Sequence, residues 1–156
     1  MDKPALQFRI AARVLLLNKN NELLLVANSK KRNWFTPGGR AEPEETLEQA
    51  AIRETYEETG LTVKDLKLVY VREAIDQKAE KPTHHVCVYF FARTEENLPE
   101  AWSDHDGYVD LNRFFSQEEL EKEKRVWPAI LKNKFWQDLA EDFKNAEIYA
   151  PYTISR

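Results

Sequence analysis

The sequence predicts an α/β fold of the α+β kind, with helices packed on a mixed sheet, and three observations carry that prediction. An alternating apolar run opens the chain, a single well-capped helix follows it, and more strand-like runs precede an apolar stripe at helical spacing. Strands first, then a central helix, more strands and terminal helices form the order of a sandwich built around one sheet. At 156 residues the chain has the length of one ordinary domain, taken as 1–156.

The elements follow from residue spacing. Leu6, Phe8, Ile10, Ala12, Val14 and Leu16 alternate with Gln7, Arg9 and Arg13, so Leu6 to Leu17 reads as a long strand. Asn18-Lys19-Asn20-Asn21 is a turn, and Glu22 to Ala27 returns as a second strand. Trp34-Phe35-Thr36 is a short extended piece stopped by Pro37-Gly38-Gly39. Thr46-Leu47-Glu48-Gln49 fits a capping box, in which the Thr hydroxyl takes the Gln49 amide and the Gln side chain reaches back. Helix formers run to Thr59, and Gly60 can adopt the left-handed conformation that ends a helix. Leu66 to Arg72 and His85 to Ala92 read as strands, with a short one over Gly107 to Leu111. Gln117 to Lys124 and Ala129 to Lys144 read as helices, the second with Ile130, Leu131, Phe135, Leu139 and Phe143 on a core stripe. The final segment, AEIYAPYTISR, fits either structure.

Composition bounds the function. Hydrophobic residues make up 42% of the chain, enough for a packed core, and no apolar run approaches the ~20 residues of a membrane span. No apolar signal segment opens the chain, and the lone Cys87 sits in the run VCVYFF, so the reading is a cytoplasmic protein with a buried thiol. A net charge of −4 argues against a general nucleic-acid binder, yet it admits anionic small molecules where a metal ion supplies local positive charge.

Three of the four glycines, Gly38, Gly39 and Gly60, bracket GGRAEPEETLEQAAIRETYEETGL. Within it Glu54, Glu57 and Glu58 stand at i, i+3 and i+4, on one helical face, with Arg53 adjoining and Glu45 just before the cap. Crowded carboxylates repel one another, and most Glu-rich helix faces are simply solvated. A hard divalent cation reverses that repulsion, because Mg²⁺ takes oxygen ligands and joins carboxylates to phosphates. A backbone carbonyl from the Gly38-Gly39 turn offers a neutral ligand of the same kind. The chemistry that fits is hydrolysis of a phosphate ester or pyrophosphate.

The same segment resembles the Nudix box: Gly, five residues, Glu, seven residues, Arg-Glu-aliphatic-any-Glu-Glu-any-Gly-aliphatic. Gly39, Glu45, Arg53, Glu54, Glu57, Glu58, Gly60 and Leu61 meet it, and Thr55 in place of the first aliphatic residue is the one departure. Such a match arises by chance on the order of 10⁻⁸ per window. The resemblance implies a Nudix-like α/β/α sandwich and a Mg²⁺-dependent pyrophosphohydrolase, with Mn²⁺ as a substitute. It implies Glu54, Glu57 and Glu58 as metal ligands with Gly39 beside them, and Arg53 with Glu45 as the groups that position them. Its substrate class is a nucleoside diphosphate linked to another moiety, with sugar nucleotides and ADP-ribose favoured, and a homodimer is compatible with it. Three other readings stay open: a nucleoside triphosphate substrate, an RNA 5′-end substrate, and a ligand-sensing domain without turnover. The acidic net charge counts against the RNA reading, and the complete Glu and Arg set counts against the sensor.

Outside the box the candidates are secondary. Arg9 and Arg13, opposite the apolar face of the first strand, are either solvated surface or phosphate contacts. Asp104, in the run Asp104-His105-Asp106, falls in a loop at about the place where the Nudix resemblance implies an extra acid or base, and is a candidate substrate contact on that ground. Trp34, Trp102 and Trp127 are core or interface residues before they are base-stacking platforms. His85 reads as ordinary strand packing.

Overall fold

A computed structural model describes residues 7–77, 81–104 and 107–154. Leu6, His105 and Asp106 lie outside the described residues. Strand β1 (Gln7–Leu17) turns through Asn18–Asn21 into β2 (Leu23–Ala27), followed by β3 (Trp34–Phe35) and β4 (Gly38–Arg40). Helix α1 (Leu47–Thr59) comes next, then β5 (Lys67–Asp76), β6 (Thr83–Arg93) and β7 (Leu111–Phe115). Helix α2 (Gln117–Lys122), β8 (Val126–Trp127), a 3₁₀ turn (Ala129–Lys132), helix α3 (Lys134–Ala140) and β9 (Tyr149–Ile154) complete the order.

One mixed sheet runs β8-β3-β2-β1-β6-β5-β9, with β4 also paired to β1 and β7 to β2. Its spine is the parallel pair β1 and β6, in register from Gln7 with Thr83 to Leu17 with Arg93. Alternation along β1 makes two cores. Val14 and Leu16 point to one face, against Ala50, Ala51 and Leu61 of and after α1. Leu15 and Leu17 point to the other, against Leu120, Leu131, Phe135 and Phe143. All residues from Val14 to Leu17 are fully buried, so the sheet is covered on both faces and the α/β/α sandwich is the observed architecture.

Helix α1 begins and ends where its sequence says. The Thr46 hydroxyl accepts from the Gln49 amide, the Gln49 side chain accepts from the Thr46 amide, and Gly60 closes the helix at φ 76°. Thr55, the departure from the Nudix pattern, is fully buried, and its hydroxyl donates to the Ala51 carbonyl at 2.7 Å. The hydroxyl therefore carries no unmet hydrogen bond into the core, and the residue packs as an aliphatic one would.

Four sequence expectations need correction. The strand placed over Gly107 to Leu111 lies instead at Leu111–Phe115, because the alternating residues that pair with β2 start at Leu111. The helix expected over Ala129 to Lys144 is broken at Asn133, whose backbone (φ −143°, ψ −58°) leaves the helical region while its side chain caps Lys134. Leu131, Phe135 and Phe143 are buried all the same, so the stripe identified the core and not the continuity of the helix. The strands expected from Leu66 and His85 are longer, reaching Asp76 and beginning at Thr83, because β5 and β6 pair over that whole length. Finally, Phe8 and Ile10 are 58% and 38% exposed, although they continue the apolar face of β1; the α1-side core cluster begins only at Ala12.

Candidate active site

Strand β4 pairs with β1 through Ala11–Arg40, Ala12–Gly39 and Arg13–Gly38, and α1 packs over that junction. The box residues gather here around Arg53. Its Nε donates to Glu45 Oε1 at 2.8 Å and its Nη2 to Glu45 Oε2 at 3.0 Å, a two-pronged grip. Nη1 reaches Glu54 Oε1 at 3.0 Å and Glu57 Oε2 at 3.1 Å, while Nη2 also donates to the Arg40 carbonyl at 3.1 Å. Arg53 thus ties the helix face to the loop before it and to β4. The Arg53 hydrogen bond holds the Glu45 carboxyl below its usual range, so Glu45 remains an anion against that guanidinium.

Glu58 turns the other way. The residue is 7% exposed, and its Oε2 accepts the Gly38 amide at 2.9 Å. Burial is the main reason its pKa is pushed up to about 8, with Glu54 and Asp104 adding repulsion and the Gly38 amide and Arg13 opposing it. Glu54 is raised as well, first by burial and then by Glu57 and Asp104, against the pull of Arg53. Gly39 makes room for it: a Cβ there would stand 2.5 Å from the Glu54 carboxylate.

These groups suit a hard cation. The facing donors are all carboxylate oxygens, two of them burdened by burial and mutual repulsion that a divalent charge would relieve. Among the described residues no cluster of carboxylate, imidazole and thiol groups forms a ready metal cage, since Arg53 draws Glu54 and Glu57 while Glu58 bonds Gly38.

On the far side of β4 the sheet forms a cleft of about 490 Å³. Arg9, Ala11 and Arg13 of β1, His85 and Cys87 of β6, and Arg72, Ala74 and Asp76 of β5 face it, one row per strand as the register requires. Arg40, Gly39 and Trp127 line its rim. Gly39 therefore belongs to both halves, beneath Glu54 and at the edge of the cleft. Arg13 is fixed by donating to the Thr36 carbonyl at 2.6 Å and lies over the rings of Phe35 and Trp127, 5.4 and 5.9 Å from their centroids. Arg9 donates to Gln7 Oε1 at 2.8 Å.

Of the secondary candidates, Arg9 and Arg13 stand in the cleft. Asp104 does not; it lies near Glu54 and Glu58, with its carboxylate accepting the Val109 amide at 3.2 Å. Trp34 packs against Phe115, and Trp102 donates to the Glu57 carbonyl at 2.7 Å, so both are structural. Trp127, 54% exposed, faces the cleft. Arg40 and Arg72 were not singled out from sequence. Their signal was register: Arg72 sits opposite Cys87, and Arg40 opposite Ala11.

Burial of Glu58 has a consequence for the metal-free protein. Its folded pKa, about 8, exceeds the ordinary 4.5, so the folded state holds the proton more tightly than the unfolded one. That contribution is complete below 4.5 and is lost as pH rises toward 8, with a slope of at most about 1.4 kcal/mol per unit. His85, lowered chiefly by burial, works in the opposite sense, but only below its ordinary 6.5. Thermal melts in chelator should therefore show stability falling between pH 6.5 and 8. Glu58→Gln should flatten that fall; an unchanged slope in the variant would assign it to another group.

A family profile described as the NUDIX domain matches residues 7–136. The chain belongs to that family and is a hydrolase acting on pyrophosphate bonds. It is 34% identical over 122 residues to the human diphosphoinositol polyphosphate phosphohydrolase 3-alpha, covering 78% of this chain and 71% of the relative. It is 33% identical over 122 residues to the mouse diphosphoinositol polyphosphate phosphohydrolase 2, of which it spans 64%, just under two thirds. The fold also matches the crystal structure of a MutT protein from Bacillus halodurans, with a TM-score of 0.67 at 17% identity, over 94% of this chain and 90% of that one. Family members generally use a divalent metal ion and act on small phosphate compounds. No helix among the described residues is long and apolar enough to cross a membrane.

Proposed function

We propose that this chain is a Mg²⁺-dependent pyrophosphohydrolase, able to use Mn²⁺, that cleaves a nucleoside diphosphate linked to a second moiety such as a sugar. The observation that carries this reading is the junction at Gly39, where the carboxylate face of α1 meets a cleft lined by Arg9, Arg13, Arg40 and Arg72 and edged by an exposed Trp127. Cations suit a diphosphate, and an open aromatic ring suits a base.

Glu54, Glu57 and Glu58, with the Gly39 carbonyl beside them, are the groups that would hold the metal. When bound, the ion supplies Lewis-acid neutralisation of the phosphate oxygens and a more acidic water. The protein's own part is positioning. Arg53 and Glu45 hold the carboxylates at one face, and the Gly38 amide orients Glu58. Arg9 and Arg13 then bind the phosphates, and Arg13 is already braced by Thr36.

A second reading has specific support. Four arginines exceed what one diphosphate needs, and the relatives are named for diphosphoinositol polyphosphates. Phosphate release should be measured with Mg²⁺ on ADP-ribose, sugar nucleotides, nucleoside triphosphates and a diphosphoinositol polyphosphate, each also in EDTA. Turnover that survives the chelator would end the metal reading. Trp127→Ala separates the substrates, since it should raise KM for a nucleotide by roughly tenfold, the worth of one stacked ring, and leave an inositol substrate unaffected.

Arg53→Lys gives a further expected result. A lysine cannot grip Glu45 with two donors while reaching Glu54 and Glu57. The variant should fold, with kcat reduced at least tenfold and KM little changed. Parental turnover would make Arg53 a surface charge.

A further inference from the structure

We propose that a groove behind the β3–β8 pair is a second anion site, shaped for a small compound carrying a run of phosphates. Successive strand residues face opposite sides of a sheet. Phe35 turns toward Arg13 and the cleft, whereas Trp34 turns away to line a separate groove of about 550 Å³. That volume lies in the range of small-molecule sites. Nothing in the hydrolytic reading uses it.

The groove has an apolar floor and a cationic rim. Trp34 and Phe115 meet edge to face, with ring centroids 4.8 Å apart, beneath Arg32, Arg113, Lys124 and Arg125. Two loops are clasped to bring the cations together: the Trp34 amide donates to the Arg125 carbonyl at 2.7 Å, and Arg125 Nη1 donates to the Lys31 carbonyl at 3.0 Å. Some of this charge is already matched. Arg113 pairs with Glu119 at 2.5 Å, Lys122 pairs with Glu118 at 2.6 Å, and Glu123 on the rim accepts the Arg125 amide at 3.1 Å. Arg32, Lys124 and the Arg125 guanidinium have no carboxylate partner among the described residues. Three cations against one rim carboxylate, on a chain of net charge −4, form a local reversal of the protein's field.

Arginine forks match phosphate oxygens, and an apolar floor strengthens such contacts by excluding water on one side. The rim is short, and the overall charge repels a long polyanion, which favours a compact phosphate compound over a nucleic acid.

The test is an ¹H–¹⁵N NMR titration of the intact protein in EDTA. Inorganic tripolyphosphate and a nucleoside triphosphate are added separately, to tell a bare phosphate chain from a nucleotide. The amides of Arg32, Trp34, Lys124 and Arg125 should shift saturably with at least one of them. Arg32 has φ 49°, so its replacement should tolerate a left-handed backbone. In Arg32→Asn/Lys124→Glu those shifts should need at least about tenfold more ligand, the scale of losing one charge-assisted hydrogen bond. Ala11 and His85 in the cleft should titrate as in the parent. Groove amides that stay still with both ligands, or that titrate identically in the variant, would overturn the proposal.

Discussion

Glu58→Gln and Glu57→Gln should each lower kcat by about 10²-fold or more while leaving the fold intact. Each removes one carboxylate from the face that would hold the metal, and several kcal/mol of transition-state stabilisation go with it, at tenfold in rate per 1.36 kcal/mol. Their effects on stability should differ. Glu57 is partly exposed and bonded to Arg53, so its change should stay within about 0.5 kcal/mol. Glu58 is buried against the Gly38 amide, which a glutamine oxygen can still accept from. Glutamine mimics the protonated carboxyl without needing a proton, so Glu58→Gln should be close to neutral below pH 4.5 and increasingly stabilising as pH rises toward 8, where the gain levels off. Steady-state rates on a confirmed substrate, with metal-free melts at pH 5 and 8, check both parts. Near-parental turnover in both variants would remove α1 from the metal site.

The second large effect separates two adjacent glycines. Gly38 has φ 137°, and a Cβ there would stand 2.6 Å from the Arg13 Cα and closer still to the Ala12 carbonyl. Both neighbours are backbone of the central strand and cannot yield. Gly38→Ala should therefore cost about 3 kcal/mol or more, a fall in melting temperature of roughly 10 °C. Gly39 has an ordinary backbone, and the atoms its Cβ would meet are the end of the Glu54 side chain. Gly39→Ala should melt within a few degrees of the parent yet lose activity by about tenfold or more, because Glu54 must swing away. Equal melting losses in the two variants would show that Gly39 is a backbone requirement and not a space for the carboxylate.

These contrasts mark what could be read along the chain. The Thr46 cap, the Gly60 stop and the i, i+3, i+4 glutamates are local features, fixed by hydrogen bonds and spacing within a few turns. They placed α1 to the residue, and with it the grouping around Arg53. The stripe from Ile130 to Phe143 also marked the core, yet Asn133 broke its helix, because a side-chain cap competes locally with helix continuation.

The cleft was legible only in fragments. Arg9 and Arg13 stood out because β1 alternates, but Arg72 and His85 gain meaning only when β5 and β6 are laid beside β1 in one register. The sheet decides that register through pairings far apart in sequence. The protonation of Glu58 is decided the same way: in sequence it is one of three equivalent acids, and only packing against Gly38 removes it from water. The sequence by itself determined the helix, its carboxylate face and the family. The tertiary structure decided which acid is buried, which arginines share a cleft and where Trp127 opens, because burial and electrostatics depend on neighbours that chain order does not place side by side.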